Sequence, residues 1–197
     1  EKGQIIGCDH LGALFAPVLL KSDPGSAVVY DLRSSKALVE EIEKHGGKPV
    51  RGRVGHSFMK ALMREHNALF GGELSGHFYW RDYFFADSGV VAMINVLNLL
   101  SEKDRPLTEL LKPIKRYSAT GEINFDVEDK AAKIEEVAEA FNDGEQNRLD
   151  GLTVEYEKWW FNLRPSNTEP KLRLNLEAET PELMEEMKSR VVEVIER

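Results

Sequence analysis

Cysteine is nearly missing from these 197 residues, with Cys8 standing alone. One thiol excludes an internal disulfide framework and any cysteine-built metal centre, and it fits a reducing compartment, so a cytoplasmic location is expected. Cys8 itself reads as a small buried apolar residue. Basic residues are also short, 26 Lys and Arg against 34 Asp and Glu, for a formal net charge of −8. Without a cationic excess to displace phosphate counterions, no nucleic-acid partner is expected. Any anion site must be assembled locally, against the field of the whole molecule. No apolar run reaches the roughly 18 residues of a membrane span and no charged-then-apolar leader is present, so no membrane partner is expected. Internal repeats and low-complexity segments are lacking too. What remains, 42% hydrophobic and 30% charged residues, is the composition of an ordinary globular protein, long enough for one or two domains with separate cores. The chain opens on Glu1 rather than Met, inside a hairpin-like stretch, and this abrupt start reads as a piece of a longer protein.

Periodicity divides the chain in two. Up to residue 115, runs with strand character alternate with helical ones. A buried helix is expected from Asp9 to about Leu20 with Asp9 as its N-cap, then a strand Ala27–Asp31 and a helix from about Ser35 to His45 that stops at Gly46-Gly47. A second strand, Lys48–Val54, leads into Gly55-His56-Ser57 and a helix over Ser57–His66, and a third strand, Ala68–Gly72, delivers a loop at Glu73. An aromatic segment, Phe78–Phe85, precedes a long apolar helix over Val90–Leu100. Alternation of this kind predicts an α/β unit with a mixed, mostly parallel sheet sandwiched by helices, where ligands bind beyond the carboxyl ends of the strands. After a linker near Lys112–Tyr117, residues 116–197 read as a smaller α+β domain, an antiparallel sheet with two helices. Its final helix starts at Thr180-Pro181-Glu182 and carries Met184, Met187, Val191 and Val194 on one stripe.

Five residues fall just beyond predicted strands: Arg33, His56, Glu73, Ser75 and His77. Each has a plainer reading. Arg33 also suits a surface charge, His56 a helix cap, Ser75 a turn, and His77 a satisfied, partly buried ring. A second group occupies the loop Leu163-Arg164-Pro165-Ser166-Asn167-Thr168-Glu169-Pro170-Lys171 between two strands. The guanidinium fork of Arg164, the hydroxyls of Ser166 and Thr168, the Asn167 amide and the backbone N–H groups make a donor-rich cup suited to phosphate. Charged hydrogen bonds contribute roughly 1.5–3 kcal/mol each, so two or three would hold a sugar phosphate. A turn rich in Asn and Ser with proline punctuation explains the same residues without a ligand. The spacing of His56, His66 and His77 shows no metal-ligand pattern, and no metal site is expected in this chain.

Taken together, Gly71-Gly72-Glu73-Leu74-Ser75-Gly76-His77 and Arg164-Pro165-Ser166-Asn167-Thr168-Glu169-Pro170 resemble the α-D-phosphohexomutases, the family of phosphomannomutase and phosphoglucomutase. The resemblance covers essentially the whole chain and implies that it holds the third domain (1–115) and the C-terminal domain (116–197) of a four-domain enzyme. It implies that Glu73, Ser75 and His77 read the sugar hydroxyls, with His56 and Arg33 beside them, and that Arg164, Ser166, Asn167 and Thr168 bind phosphate. Arg33 stands where many relatives carry a lysine, and Pro165 where a small residue is common, which removes one N–H from the cup. The implied substrates are hexose phosphates, interconverted between the 1- and 6-phosphate through a hexose 1,6-bisphosphate. The phosphoserine and the Mg2+ would belong to missing N-terminal domains, so no catalytic residue is assigned here and the piece is expected to be inactive alone. Leu74 favours the glucose/mannose branch over phosphoglucosamine. A hydrolase built on Ser75 and His77 lacks the strand-turn-helix setting of a nucleophile elbow. A non-catalytic sugar-phosphate-binding module is the remaining alternative.

Overall fold

The computed structural model describes residues 3–166 and 169–197. The chain forms two compact units, Glu1–Arg116 and Tyr117–Arg197.

In the first unit α1 (Cys8–Ser22), β1 (Ala27–Asp31), α2 (Lys36–Lys44), β2 (Lys48–Gly52), α3 (His56–Glu65) and β3 (Phe70–Gly72) follow in order. Then come β4 (Phe78–Trp80), a 3-10 turn at Arg81–Tyr83, β5 (Ala86–Asp87), α4 (Gly89–Lys103) and α5 (Leu107–Leu111). The sheet order is β2-β1-β3-β4-β5. β1 runs parallel to β2 and β3, whereas the aromatic segment folds back as the antiparallel strands β4 and β5. Alternate side chains on the strands feed two apolar layers. On one face Phe15 of α1 packs edge-on against Phe70 and Phe78, at centroid distances of 6.4 and 5.4 Å. Val29 and Tyr79 lie on the other, clustered with Met59 and Met63 of α3.

Two local expectations change. The N-cap of α1 is Gly7, because Asp9 sits inside the first turn and spends its carboxylate elsewhere, accepting from the N–H of His10 at 2.8 Å and of Ser35 at 3.1 Å. This ties the start of α1 to the start of α2, where the Ser35 hydroxyl caps Ala37 N–H. Cys8 is only partly buried. The apolar run of α4 is capped by Ser88 and buries Ala92 and Leu99, but Val90, Met93, Ile94 and Leu97 are exposed.

The second unit contains β6 (Ser118–Asp126), α6 (Lys130–Ala140), β7 (Glu145–Asn147), β8 (Leu152–Glu155), β9 (Trp159–Pro165), β10 (Lys171–Ala178) and α7 (Pro181–Glu196). Its sheet, ordered β6-β10-β9-β8-β7, is antiparallel throughout. Leu172, Leu174 and Leu176 of β10 point into a core with Leu163, Phe161, Val137 and Val191; each such side chain contributes roughly 1.5–3 kcal/mol on burial. Asp129 caps α6 through two backbone N–H groups, and Thr180 caps α7 with Pro181 in its first turn. On α7 the buried stripe is Met187, Val191 and Ile195, with Met184 and Val194 at its margin. At Gly151, φ is +72° and a Cβ would stand 2.3 Å from Leu163 O and 2.7 Å from Arg164 Cα. The turn before β8 therefore passes against the backbone of β9 where Arg164 begins, an approach only glycine permits.

Candidate functional site

The ends of β1, β2 and β3 lie side by side, and each continues into one of the expected site residues: β1 into Arg33, β2 into Gly55-His56, β3 into Glu73. Asp31, fully buried at the end of β1, joins them. Its Oδ1 accepts from Arg33 N–H at 2.8 Å and Nε at 3.2 Å, and its Oδ2 from Arg33 Nη2 at 2.7 Å and Leu74 N–H at 2.8 Å. Arg33 is thus neither a solvated surface charge nor an open fork. Its side chain, 9% exposed, is folded onto Asp31, which fixes the β1 turn to the Glu73 loop.

Glu73 is 3% exposed. Its Oε1 accepts from Gly55 N–H at 3.1 Å and its Oε2 from the Tyr79 hydroxyl at 2.5 Å. The loop closes with Glu73 N–H on His77 O and Gly76 N–H on Glu73 O. Gly76 has φ +95°, and its Cα faces the Cys8 sulfur, so this corner of the loop requires glycine. Burial, and then the hydrogen bond to Glu73, push the Tyr79 phenol well above its ordinary pKa. The ring therefore stays protonated and remains a donor.

On the exposed side of this carboxylate lie Ser75, His77 and His56. Ser75 Oγ is 3.0 Å from His77 Nδ1, and His77 Nδ1 is 3.7 Å from Glu73 Oε2. The His56 and His77 rings meet edge to face at 4.2 Å, and His56 also packs on Tyr79 at 5.5 Å. His56 is the first residue of α3, with Gly55 as its N-cap, so the helix begins one residue earlier than expected and His56 is not its cap. Its Nδ1 lies 3.7 Å from Asp87 Oδ1, to which Lys60 Nζ also pairs at 3.1 Å. The lysine's hydrogen bond holds the Asp87 carboxyl below its usual range.

In the second unit the hairpin β9–β10 carries the other loop, with Pro165 paired to Leu172 and Arg164 to Arg173. Ser166 N–H bonds to Lys171 O at 2.8 Å, and Ser166 Oγ accepts from Glu169 N–H at 3.2 Å. Asn167 and Thr168 lie outside the described residues. The Arg164 side chain is 2% exposed, with Nη2 3.0 Å from Glu122 Oε2. Glu122, on β6, also takes Arg173 Nη1 at 3.1 Å. One carboxylate thus bridges two arginines that stand opposite each other across the ladder.

The structure brings Glu73, Ser75, His77 and His56 together and places Arg33 behind them on Asp31. Sequence reading missed Asp31, Tyr79, Lys60, Asp87 and Glu122. The first could have been found as an acidic residue closing a wholly apolar strand. Tyr79 sits in a run that reads simply as apolar, and nothing in the spacing marks Glu122 as the partner of Arg164.

Comparison with known proteins adds to this geometry. Residues 8–117 match the family described as phosphoglucomutase/phosphomannomutase, alpha/beta/alpha domain III, and residues 122–194 match the C-terminal domain of the same family. A phosphomannomutase of Methanocaldococcus jannaschii is 44% identical over 186 residues, which cover 94% of this chain and 41% of that protein. A phosphoglucomutase/phosphomannomutase family protein of Burkholderia thailandensis superimposes with a TM-score of 0.86 at 29% identity, over 98% of this chain and 43% of that one. The N-acetylphosphoglucosamine mutase of Aspergillus fumigatus, solved with GlcNAc-6P and magnesium, shares the fold at 14% identity and a TM-score of 0.70, over 98% of this chain and 44% of that one. The chain thus spans about two fifths of the length of the relatives it matches.

Proposed function

As this chain belongs to the phosphoglucomutase/phosphomannomutase family, we propose that it is the substrate-binding half of a phosphohexomutase. Its substrates would be hexose 1-phosphates and 6-phosphates, interconverted through a hexose 1,6-bisphosphate. The observation that carries this reading is the loop at Glu73: a buried carboxylate fixed by Gly55 and Tyr79, beside Ser75, His77 and His56 at a wet edge. Each carboxylate oxygen has a second lone pair, so Glu73 can accept from a sugar hydroxyl while it keeps its internal partners. Ser75 and His77 add hydrogen-bonding groups beside it. In the second unit Arg164, Ser166, Asn167 and Thr168 would grip the phosphate that is not being transferred, with Arg164 shared between Glu122 and the ligand.

This division of labour suits phosphoryl transfer, in which positioning and electrostatic stabilisation supply most of the rate. The substrate has to be held in two opposite orientations. A grip on phosphate in general, with hydroxyl readers common to both poses, serves each of them. The family's phosphoserine and Mg2+, which carry and neutralise the transferring phosphoryl group, would come from the portion of a full-length relative outside the matched region. The residues present do not suit Mg2+: among the described residues the one grouping of three candidate ligands is His56, Glu73 and His77, and two imidazoles are poor donors for so hard an ion. The chain alone is therefore expected to bind hexose phosphates without mutase activity, and a cytoplasmic setting is consistent with its single thiol.

Calorimetry with glucose 1-phosphate, mannose 1-phosphate and inorganic phosphate tests this reading. Both sugar phosphates should bind more tightly than inorganic phosphate, Arg164→Ala should weaken all three, and Ser75→Ala should weaken only the sugars. Equal binding of all three ligands, untouched by Ser75→Ala, would remove the hydroxyl-reading role.

A further inference from the structure

We propose that His56, Glu73 and His77 form a binding site for a divalent transition metal of the Zn2+ class. One nitrogen from each ring and one carboxylate oxygen all lie within 4.8 Å of one another, although the three residues come from two separate strand ends. Two imidazoles and one carboxylate make a donor set typical of zinc, with a fourth position left for water or a ligand. The required distances, about 2.0–2.2 Å from metal to N or O, call for the donors to draw closer than they stand. The two histidines can supply that movement, since both side chains are 43% exposed, while Glu73 is held rigidly from behind.

The surroundings have the layout of an outer ligand shell. Metal-bound imidazoles commonly donate their other N–H to a carboxylate or hydroxyl, which fixes ring and tautomer. His77 Nδ1 lies 3.0 Å from Ser75 Oγ and 3.7 Å from Glu73 Oε2, and His56 Nδ1 faces Asp87 at 3.7 Å, so each ring has a polar neighbour that can fix its orientation while one of its nitrogens binds the ion. Glu73 is likewise steadied by Tyr79 and Gly55. Lys60 Nζ is paired to Asp87 at 3.1 Å.

Occupancy would engage the same carboxylate and ring that the proposed function assigns to sugar hydroxyls. A bound ion would therefore exclude the sugar or bridge to one of its oxygens. The ligand set stands without the phosphohexomutase reading, and only this competition rests on it.

The test is a titration of the 197-residue chain with Co2+, read by visible absorption, and with Zn2+, read by calorimetry. One equivalent is expected to bind, with the absorption bands of low-coordinate Co2+. His56→Gln and His77→Gln should each weaken binding at least about tenfold, since loss of even an outer-shell partner costs that much. Cys8→Ser controls for thiol ligation, because the Cys8 sulfur lies beside Gly76, and it should change nothing. Absence of stoichiometric binding, or binding that survives both histidine variants or vanishes in Cys8→Ser, would overturn the proposal. A second titration, in saturating glucose 1-phosphate, separates the two readings. Zn2+ binding that weakens by exclusion or strengthens by bridging supports both, whereas unchanged Zn2+ binding leaves the metal site standing and counts against sugar at Glu73.

Discussion

In the first unit the buried charge beside the exposed site residues is the Glu73 carboxylate, and the hydrogen bonds that hold it come from neutral donors, Gly55 N–H and the Tyr79 hydroxyl. In the second the buried site charge is a guanidinium, and Arg164 is held by another charge, Glu122. The contrast shows two ways to keep an ion ready inside a fold. Neutral donors satisfy Glu73 without cancelling it, so it can meet a ligand with its charge intact. An ion pair holds Arg164 at Nη2 by opposing its charge, so a phosphate has to share the guanidinium with Glu122. Removing one partner of such a buried pair leaves an uncompensated charge.

Several substitutions would break or sharpen this contrast. The largest effect is expected in the second unit, where the hairpin depends on Gly151. Gly151→Ala combines a positive φ with a backbone clash and should cost roughly 2–4 kcal/mol, seen as a lower urea midpoint together with weaker phosphate binding. In the first unit Tyr79→Phe removes one neutral donor to Glu73 and should cost about 1–2 kcal/mol at neutral pH. The sign of its pH dependence is fixed. An unfolded tyrosine ionises near about pH 10 and the folded Tyr79 higher, so its contribution is whole below that pH and lost as pH rises toward the folded value. Tyr79→Phe should therefore flatten the alkaline limb of stability measured by urea unfolding.

Glu122→Gln bears on the second half of the comparison. With the cancelling charge removed, inorganic phosphate should bind roughly three- to tenfold more tightly, a change of order 1 kcal/mol, measured by calorimetry. Unchanged affinity would show that Arg164 does not need releasing. The smallest effect belongs to Lys60→Met at the exposed edge. Because Lys60 lowers the pKa of Asp87, their pair is stabilising above the ordinary aspartate value, about 3.9, and is lost as pH falls through the lower folded value. Its loss at pH 7 should amount to about 0.3 kcal/mol in low salt, and less in high salt.

Much of the architecture was legible in the sequence because its signals are local. β1 begins and ends at the expected residues, and Ser88, Asp129 and Thr180 begin helices as short polar residues do. β7 went unread because Glu145-Gln146-Asn147 is an exposed edge without apolar alternation. Asp9 was misread as a cap because its partner, Ser35 N–H, is supplied by another helix. The same limit governs the sites. Glu73, Ser75 and His77 share one loop and were found together. The grouping of His56 with Glu73 as potential metal ligands depends on two parallel strands lying near each other, which no helical or strand period encodes. Arg164 was recognised as a cation in a polar loop, but its ion-pair partner Glu122 lies two strands away across the sheet.

The most direct test of the account is an amide NMR titration of the chain with glucose 1-phosphate, mannose 1-phosphate and inorganic phosphate. The account predicts shifts at Arg164, Ser166 and Glu169 with all three ligands, and at Glu73, Leu74, Ser75 and His77 with the two sugar phosphates only. Inorganic phosphate that perturbs the Glu73 loop as strongly as the sugars do, or sugar phosphates that leave both loops unmoved, would contradict it.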